Sequence, residues 1–134
     1  MASMIVTPSS LSYYATMRAL VDAIEQRGLT VFARIDHAAG AREVELELAD
    51  EEVVLFGSPV SGTPLMQADA RIGIELPLRM LVWSDGEQVL LGHNDPRVLA
   101  GAYDVSAHEQ TLAQMAALLE ALAAAASGAA EEAS

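Results

Sequence analysis

Leu78-Arg79-Met80-Leu81-Val82-Trp83-Ser84-Asp85-Gly86-Glu87-Gln88-Val89-Leu90-Leu91-Gly92-His93 is the stretch that decides the fold. Two runs of strand-forming residues flank Asp85-Gly86, a pair suited to the positive backbone angles of a type I′ hairpin turn. With that pair at the corner, Val82 lies opposite Val89, Met80 opposite Leu91 and Leu78 opposite His93. Arg79, Leu81 and Trp83 then oppose Gly92, Leu90 and Gln88 on the other face. Both faces of this hairpin are largely apolar. Helices covering one face leave the other in water unless a second copy of the chain or a ligand packs there.

Outward from the hairpin, Met4-Ile5-Val6 reads as a short strand. Ser12 is placed to cap a helix whose stripe is Tyr14, Met17, Leu20, Val21 and Ile24, and Gly28 is placed to end it. Leu29 to Ile35 is a strand whose odd positions form one apolar face. A short helix to about Glu43 and an extended stretch lead to Val53–Phe56, a strand covered on both faces. Thr63-Pro64 is an N-cap followed by proline at the first helical position, opening a short helix through Ala68. Leu76-Pro77 forces extended backbone. Asp95-Pro96 repeats the cap-plus-proline pattern for a short helix to about Tyr103. Ser106 to Glu109 is a capping box opening the last helix, with Leu112, Met115, Leu119 and Leu122 on one side and Gly128 at its end. Residues 1–128 are expected to form a single domain and 129–134 a disordered tail.

Of 134 residues, 70 are hydrophobic, but 25 of those are alanine, which leaves 45 larger apolar side chains for one core. Cysteine is absent, which excludes disulfides, thiol nucleophiles and thiolate metal sites. Seven arginines and no lysine stand against 19 acids, for a net charge of -12. That balance repels phosphate backbones and anionic lipid, so neither nucleic acid nor membrane is an expected partner. Six acids fall between Glu43 and Glu52 and read as a solvated face. No basic leader or long apolar span is present, and the expected location is the cytoplasm.

Several segments together resemble a bacterial and archaeal family, Domain of Unknown Function 302. They are Gly28-Leu29-Thr30-Val31-Phe32-Ala33-Arg34-Ile35-Asp36-His37, Phe56-Gly57-Ser58-Pro59 with Gly62-Thr63-Pro64-Leu65-Met66-Gln67-Ala68, Leu76 to Trp83, and Asn94-Asp95. The resemblance runs from Ser12 to Asp95. This chain departs from the family in having Ser58 where Asn is usual, His93 where Tyr is common, and Glu45 where Gly is common. The resemblance implies an α+β fold, a β-α-β(4)-α two-layer domain like that of the TATA-box-binding protein, with an antiparallel sheet and helices on one face. It also implies a homodimer. A DNA-binding role does not transfer with a fold.

Two constellations could carry chemistry. Asp36-His37 closes one strand and His93-Asn94-Asp95 another; if those ends met, two imidazoles and two carboxylates would suit acid–base or metal chemistry. The spacing matches no metal motif, and no metal or cofactor is expected. The second is the turn Gly57-Ser58-Pro59-Val60-Ser61-Gly62-Thr63-Pro64 ahead of Met66, whose backbone amides at a helix start could hold an anion. It has no P-loop lysine, which excludes nucleotide hydrolysis of that type. The expected site therefore comprises Asp36, His37, Gly57, Ser58, Gly62, Thr63, Met66, His93, Asn94 and Asp95. The expected function is binding of a small anionic or apolar ligand by a homodimer. The alternatives are an enzyme built on Asp36, His37, His93 and Asp95, and a structural or partner-binding module.

Overall fold

The computed structural model describes residues 4–129. Its elements are strand β1 (Met4–Ser9), helix α1 (Tyr13–Gln26), β2 (Thr30–Asp36), α2 (His37–Glu43), β3 (Glu51–Gly57), α3 (Pro59–Ala68), β4 (Leu78–Asp85), β5 (Gln88–Asn94) and α4 (Glu109–Ala126). Short 3₁₀ segments occupy Ala70–Glu75, Pro96–Gly101 and Ser106–His108. The strands form one sheet in the order β1-β5-β4-β3-β2, with every neighbouring pair antiparallel. This is the α+β, antiparallel arrangement that the apolar hairpin calls for. The expected tail lies, apart from Ala129, outside the described residues.

The sheet has one face dried by α1 and α4. Glu52, Val54 and Phe56 of β3, Met80 and Val82 of β4, and Leu91 and His93 of β5 are buried, while their neighbours along β3 and β4 are less so and Gly92 of β5 is buried as well. Met17, Leu20 and Ile24 of α1 and Leu119, Leu122 and Ala126 of α4 close over them. Each large aliphatic side chain buried this way contributes about 1.5–3 kcal/mol. A second cluster, Leu65, Ile72, Val105, Leu112 and Met115, ties α3 and the 3₁₀ segments to the first half of α4.

The hairpin keeps its faces but shifts its partners. Gly86 and Glu87 occupy the corner, so Asp85 pairs with Gln88, Ser84 with Val89 and Val82 with Leu91. Gly86 has φ +63° and Glu87 a negative φ, the pattern of a type II′ rather than a type I′ turn. Moving the corner by one residue moves each pairing by two, which preserves the inward set. On the outer face Gly92 is closely packed: a side chain there would displace the Met4 thioether and come within 3.0 Å of the Trp83 ring.

A β-bulge divides the odd positions of β2. Val31 pairs with Phe56 and faces the core, whereas Ala33 pairs with Leu55 and Ile35 with Val53 on the outer face. Phe32 is the extra residue between them, so the single apolar face expected from alternation does not form. Two helix starts also differ from expectation. The last helix begins at Glu109 without a side-chain cap, the predicted capping-box segment forming a 3₁₀ turn instead. Helix α3 begins at Pro59 with Ser58 as its cap, and Pro64, read as a first helical residue, lies inside it.

Two helices end in the same motif with different residues. After α1, Gly28 N–H donates to Glu25 and Leu29 N–H to Ile24; after α2, Glu45 N–H donates to Arg42 and Leu46 N–H to Ala41. Both are Schellman caps, which need a left-handed residue at the turn. Gly28 meets that need at φ +73° without cost, but Glu45 adopts φ +63° with a Cβ in the way. Glu45→Gly should therefore raise stability by about 1 kcal/mol in urea unfolding, and Glu45→Val should lower it. A lower urea midpoint for Glu45→Gly would contradict this account.

Candidate functional site

The bulge, Gly57 at the end of β3 and Gly62 within α3 shape an apolar cavity. Phe32, re-aimed by the bulge and half exposed at 51%, lies beside Gly57. Across from it stand Pro59, Gly62 and Met66 of α3, Gly73 of the following 3₁₀ segment, Leu76 and Pro77, and Met115 and Leu118 of α4. They enclose about 300 Å³ at the end of the sheet where β3 finishes and β4 begins. The lining is mainly carbon, with Ser58, Ser61 and Thr63 as its hydroxyls. Side chains at Gly62 and Gly73 would project toward Leu76 and Met66, so both glycines keep space open.

Gly57, Ser58, Gly62, Thr63 and Met66 thus line one cavity, as a loop-built site requires. The anion-binding version of that site does not hold. Pro59 has no N–H, Val60 N–H is taken by Ser58 Oγ, and the Ser61 and Gly62 amides both donate to Ser58 O. The helix start has spent its donors on Ser58, leaving no cradle for an anion. Thr63, expected to cap, sits within the helix instead.

The histidine–carboxylate constellation is not assembled. β2 and β5 run in opposite directions with β4 and β3 between them, so Asp36 and Asn94 finish at opposite ends of the sheet. Three strand spacings of about 4.8 Å alone put them ~14 Å apart, whereas metal–nitrogen bonds are only ~2 Å. Among the described residues no three His, Cys, Asp or Glu side chains gather as a metal ion would require. Asp36 caps α2 by accepting from Ala39 N–H, and His37 is exposed in its first turn. Asp95 caps a 3₁₀ turn through Arg97 N–H and receives the Arg97 guanidinium as well, which holds its carboxyl below the usual range. Asp69 and Arg71 repeat that fork. Asn94 and Asp95 line a separate cavity of about 170 Å³ with Leu78, Pro96, Leu99 and Leu119.

His93 is 4% exposed on the covered face of β5. Its Nδ1 lies 3.2 Å from the Asn94 carbonyl oxygen, while its Nε2 is buried with no hydrogen-bond partner among the described residues. Such an orphan costs about 1–3 kcal/mol, and its burial sets His93 apart from a solvent-facing acid or base. Sequence reasoning missed Phe32, Leu118 and Gly73 as cavity residues. The available signal was Phe32, an aromatic on the nominally polar face of its strand.

Comparison with known proteins places this arrangement. Residues 5–122 match the family model described as Domain of unknown function DUF302. The chain belongs to that family. A solved DUF302 structure, the uncharacterized conserved protein from Bacillus stearothermophilus, superimposes with a TM-score of 0.80 at 18% identity, covering 89% of this chain and 94% of that one. At that identity the likeness establishes the fold alone. The DUF302 chain is also 40% identical over 100 residues to proteins named fluoride-specific ion channel FluC 1 in Brucella suis biovar 1 (strain 1330) and Brucella abortus biovar 1 (strain 9-941). The match covers 74% of this chain but only 39% and 37% of those proteins. No helix among the described residues is long and apolar enough to cross a membrane.

Proposed function

We propose that this DUF302 domain binds a small, mainly apolar molecule in the cavity between the Phe32 bulge and α3. The observation carrying this reading is the carbon-lined space of about 300 Å³ kept open by Gly62 and Gly73, in the size range of small-molecule sites. The spent amide donors at Ser58 favour a neutral ligand over an anion, and the Ser61 and Thr63 hydroxyls supply polar contacts. Decanol serves as a probe: its titration should shift the Met66, Met115 and Leu118 methyl resonances saturably. Gly62→Leu, which fills the cavity, should remove the effect while Gly62→Ala keeps the fold. Absence of saturable shifts at those methyls would sink the proposal.

The domain works, in this reading, as a homodimer through its uncovered sheet face. Val53, Leu55, Leu81, Trp83 and Leu90 are half-buried there, and Met4, Val6 and Ile35 are exposed. A contiguous apolar face of this kind is dried by a surface of similar extent, and a stable pair needs about 800 Å² from each partner. Sedimentation velocity of the wild type should report a dimer and Leu81→Arg a folded monomer. A monomeric wild type would end this part of the proposal.

A second reading follows from the Brucella proteins. Their name specifies a fluoride channel, yet no helix among the described residues of this chain is long and apolar enough to cross a membrane. We infer that the shared segment is an extramembrane module of those proteins, and that this domain plays the same accessory part beside such a channel. Removing the matching segment from the Brucella suis protein should leave fluoride flux into proteoliposomes intact. Loss of flux from correctly inserted protein would contradict a module outside the pore.

A further inference from the structure

The opposite end of the sheet from the apolar cavity carries a groove of different chemistry. It opens where α1 starts, β2 ends and β3 begins, and has a volume of about 710 Å³. Its floor is Tyr13, Met17, Val21, Asp50 and Glu52, all buried or half-buried, and Arg34 and Asp36 wall it. Arg18, Asp22 and Arg42 stand exposed at the rim. The acidic run from Glu43 to Glu52, read from sequence as a solvated face, is here split. Glu43, Glu45 and Glu47 face solvent, but the alternation Glu52-Val54-Phe56 turns Glu52 inward to 7% exposure.

The polar groups of this groove are under-used. Tyr13 is 9% exposed, and its hydroxyl, which keeps contact with the solvent in the groove, makes no hydrogen bond among the described residues. Burial first, then the charges of Glu52, Asp36 and Asp50, push that phenol above its ordinary pKa, so it stays protonated. Glu52 Oε2 accepts from Arg34 Nε and Asp36 Oδ1 caps α2, which leaves one oxygen of each carboxylate unengaged. The Asp50 backbone carbonyl accepts from Ser84 N–H, but its carboxylate has no hydrogen-bond partner among the described residues. Four carboxylates, Asp22, Asp36, Asp50 and Glu52, and three guanidiniums, Arg18, Arg34 and Arg42, line the groove, which leaves one net negative charge, and Arg34 is already committed to Glu52. These carboxylates do not gather as a metal ion would require. Unengaged acceptors spread over a wider space suit a larger cation with several N–H donors. The Tyr13 and Tyr14 rings, perpendicular with centroids 5.3 Å apart, add aromatic surface that favours a cation.

We propose that this groove binds a small organic monocation, an alkylammonium or alkylguanidinium whose head is held by Asp50, Glu52, Asp36 and the Tyr13 hydroxyl. Its apolar body lies on Met17 and Val21. The rim arginines Arg18 and Arg42 disfavour a second positive charge at the mouth, which separates a monoamine from a polyamine. The site is independent of the apolar cavity, since no residue lines both.

Hexylammonium, hexylguanidinium and neutral hexanol are the probes, titrated into the full chain and followed by the Tyr13 ring and Met17 methyl resonances. At least one of the two cations should bind saturably, and at least tenfold more tightly than hexanol. Tyr13→Phe and Asp50→Asn should each weaken the cation at least fivefold. Asp50→Asn alters a half-buried group without a hydrogen-bond partner and so keeps the test valid should Tyr13→Phe fold poorly. Spermidine should bind no better than hexylammonium. Equal response to hexanol, undiminished binding in Asp50→Asn, tighter binding of spermidine, or no saturable shift with either cation would each overturn the proposal.

Discussion

The burial of one sheet face under α1 and α4 is the constraint on which the molecule depends. Val54, Phe56, Met80, Val82 and Leu91 on the sheet meet Met17, Leu20, Ile24, Leu119 and Leu122 on the helices. Once that face is closed, the ends of the strands are the places where loops can build sites. The two ends then acquire opposite chemistry. One has α3, the glycines and the second apolar cluster; the other has the Asp36 cap, the acidic start of β3 and Tyr13.

Much of the fold was legible because its signals are local. Ser12 caps α1 through Ala15 N–H, Gly28 ends it, and the apolar hairpin identifies two central strands. The hairpin's partner shift escaped because Asp-Gly and Gly-Glu corners are both acceptable chemistry and differ by one residue. Its inward set survived because that shift moves each pairing by two. The bulge at Phe32 was not legible, since a bulge depends on how two strands pair rather than on either strand alone. Thr63-Pro64 misled for a related reason. It carries the signature of a helix start, but Ser58-Pro59 carries the same signature five residues earlier and meets the chain first.

The candidate site divides along the same line. The loop residues Gly57 to Met66 converge because they are neighbours in sequence, so reading them together needed no topology. Asp36 and His93 do not converge, because the strand order sets them at opposite ends of the sheet. Residue type suggested chemistry there, but connectivity decided it. The two Asp–Arg forks, at Asp69 and Asp95, sharpen the point: each carboxylate is engaged within its own turn by the arginine two residues on.

Gly92 bears on how the outer face can be used. Without a side chain at that position, the Trp83 ring and the Met4 thioether approach the β5 backbone closely. That part of the face is thereby kept low. A level surface offers a small molecule few contacts on any side, and its complement is another level surface. The two faces therefore differ in kind: under the proposed function a small ligand takes the strand ends beneath the helices, and a second copy takes the side that carries Gly92.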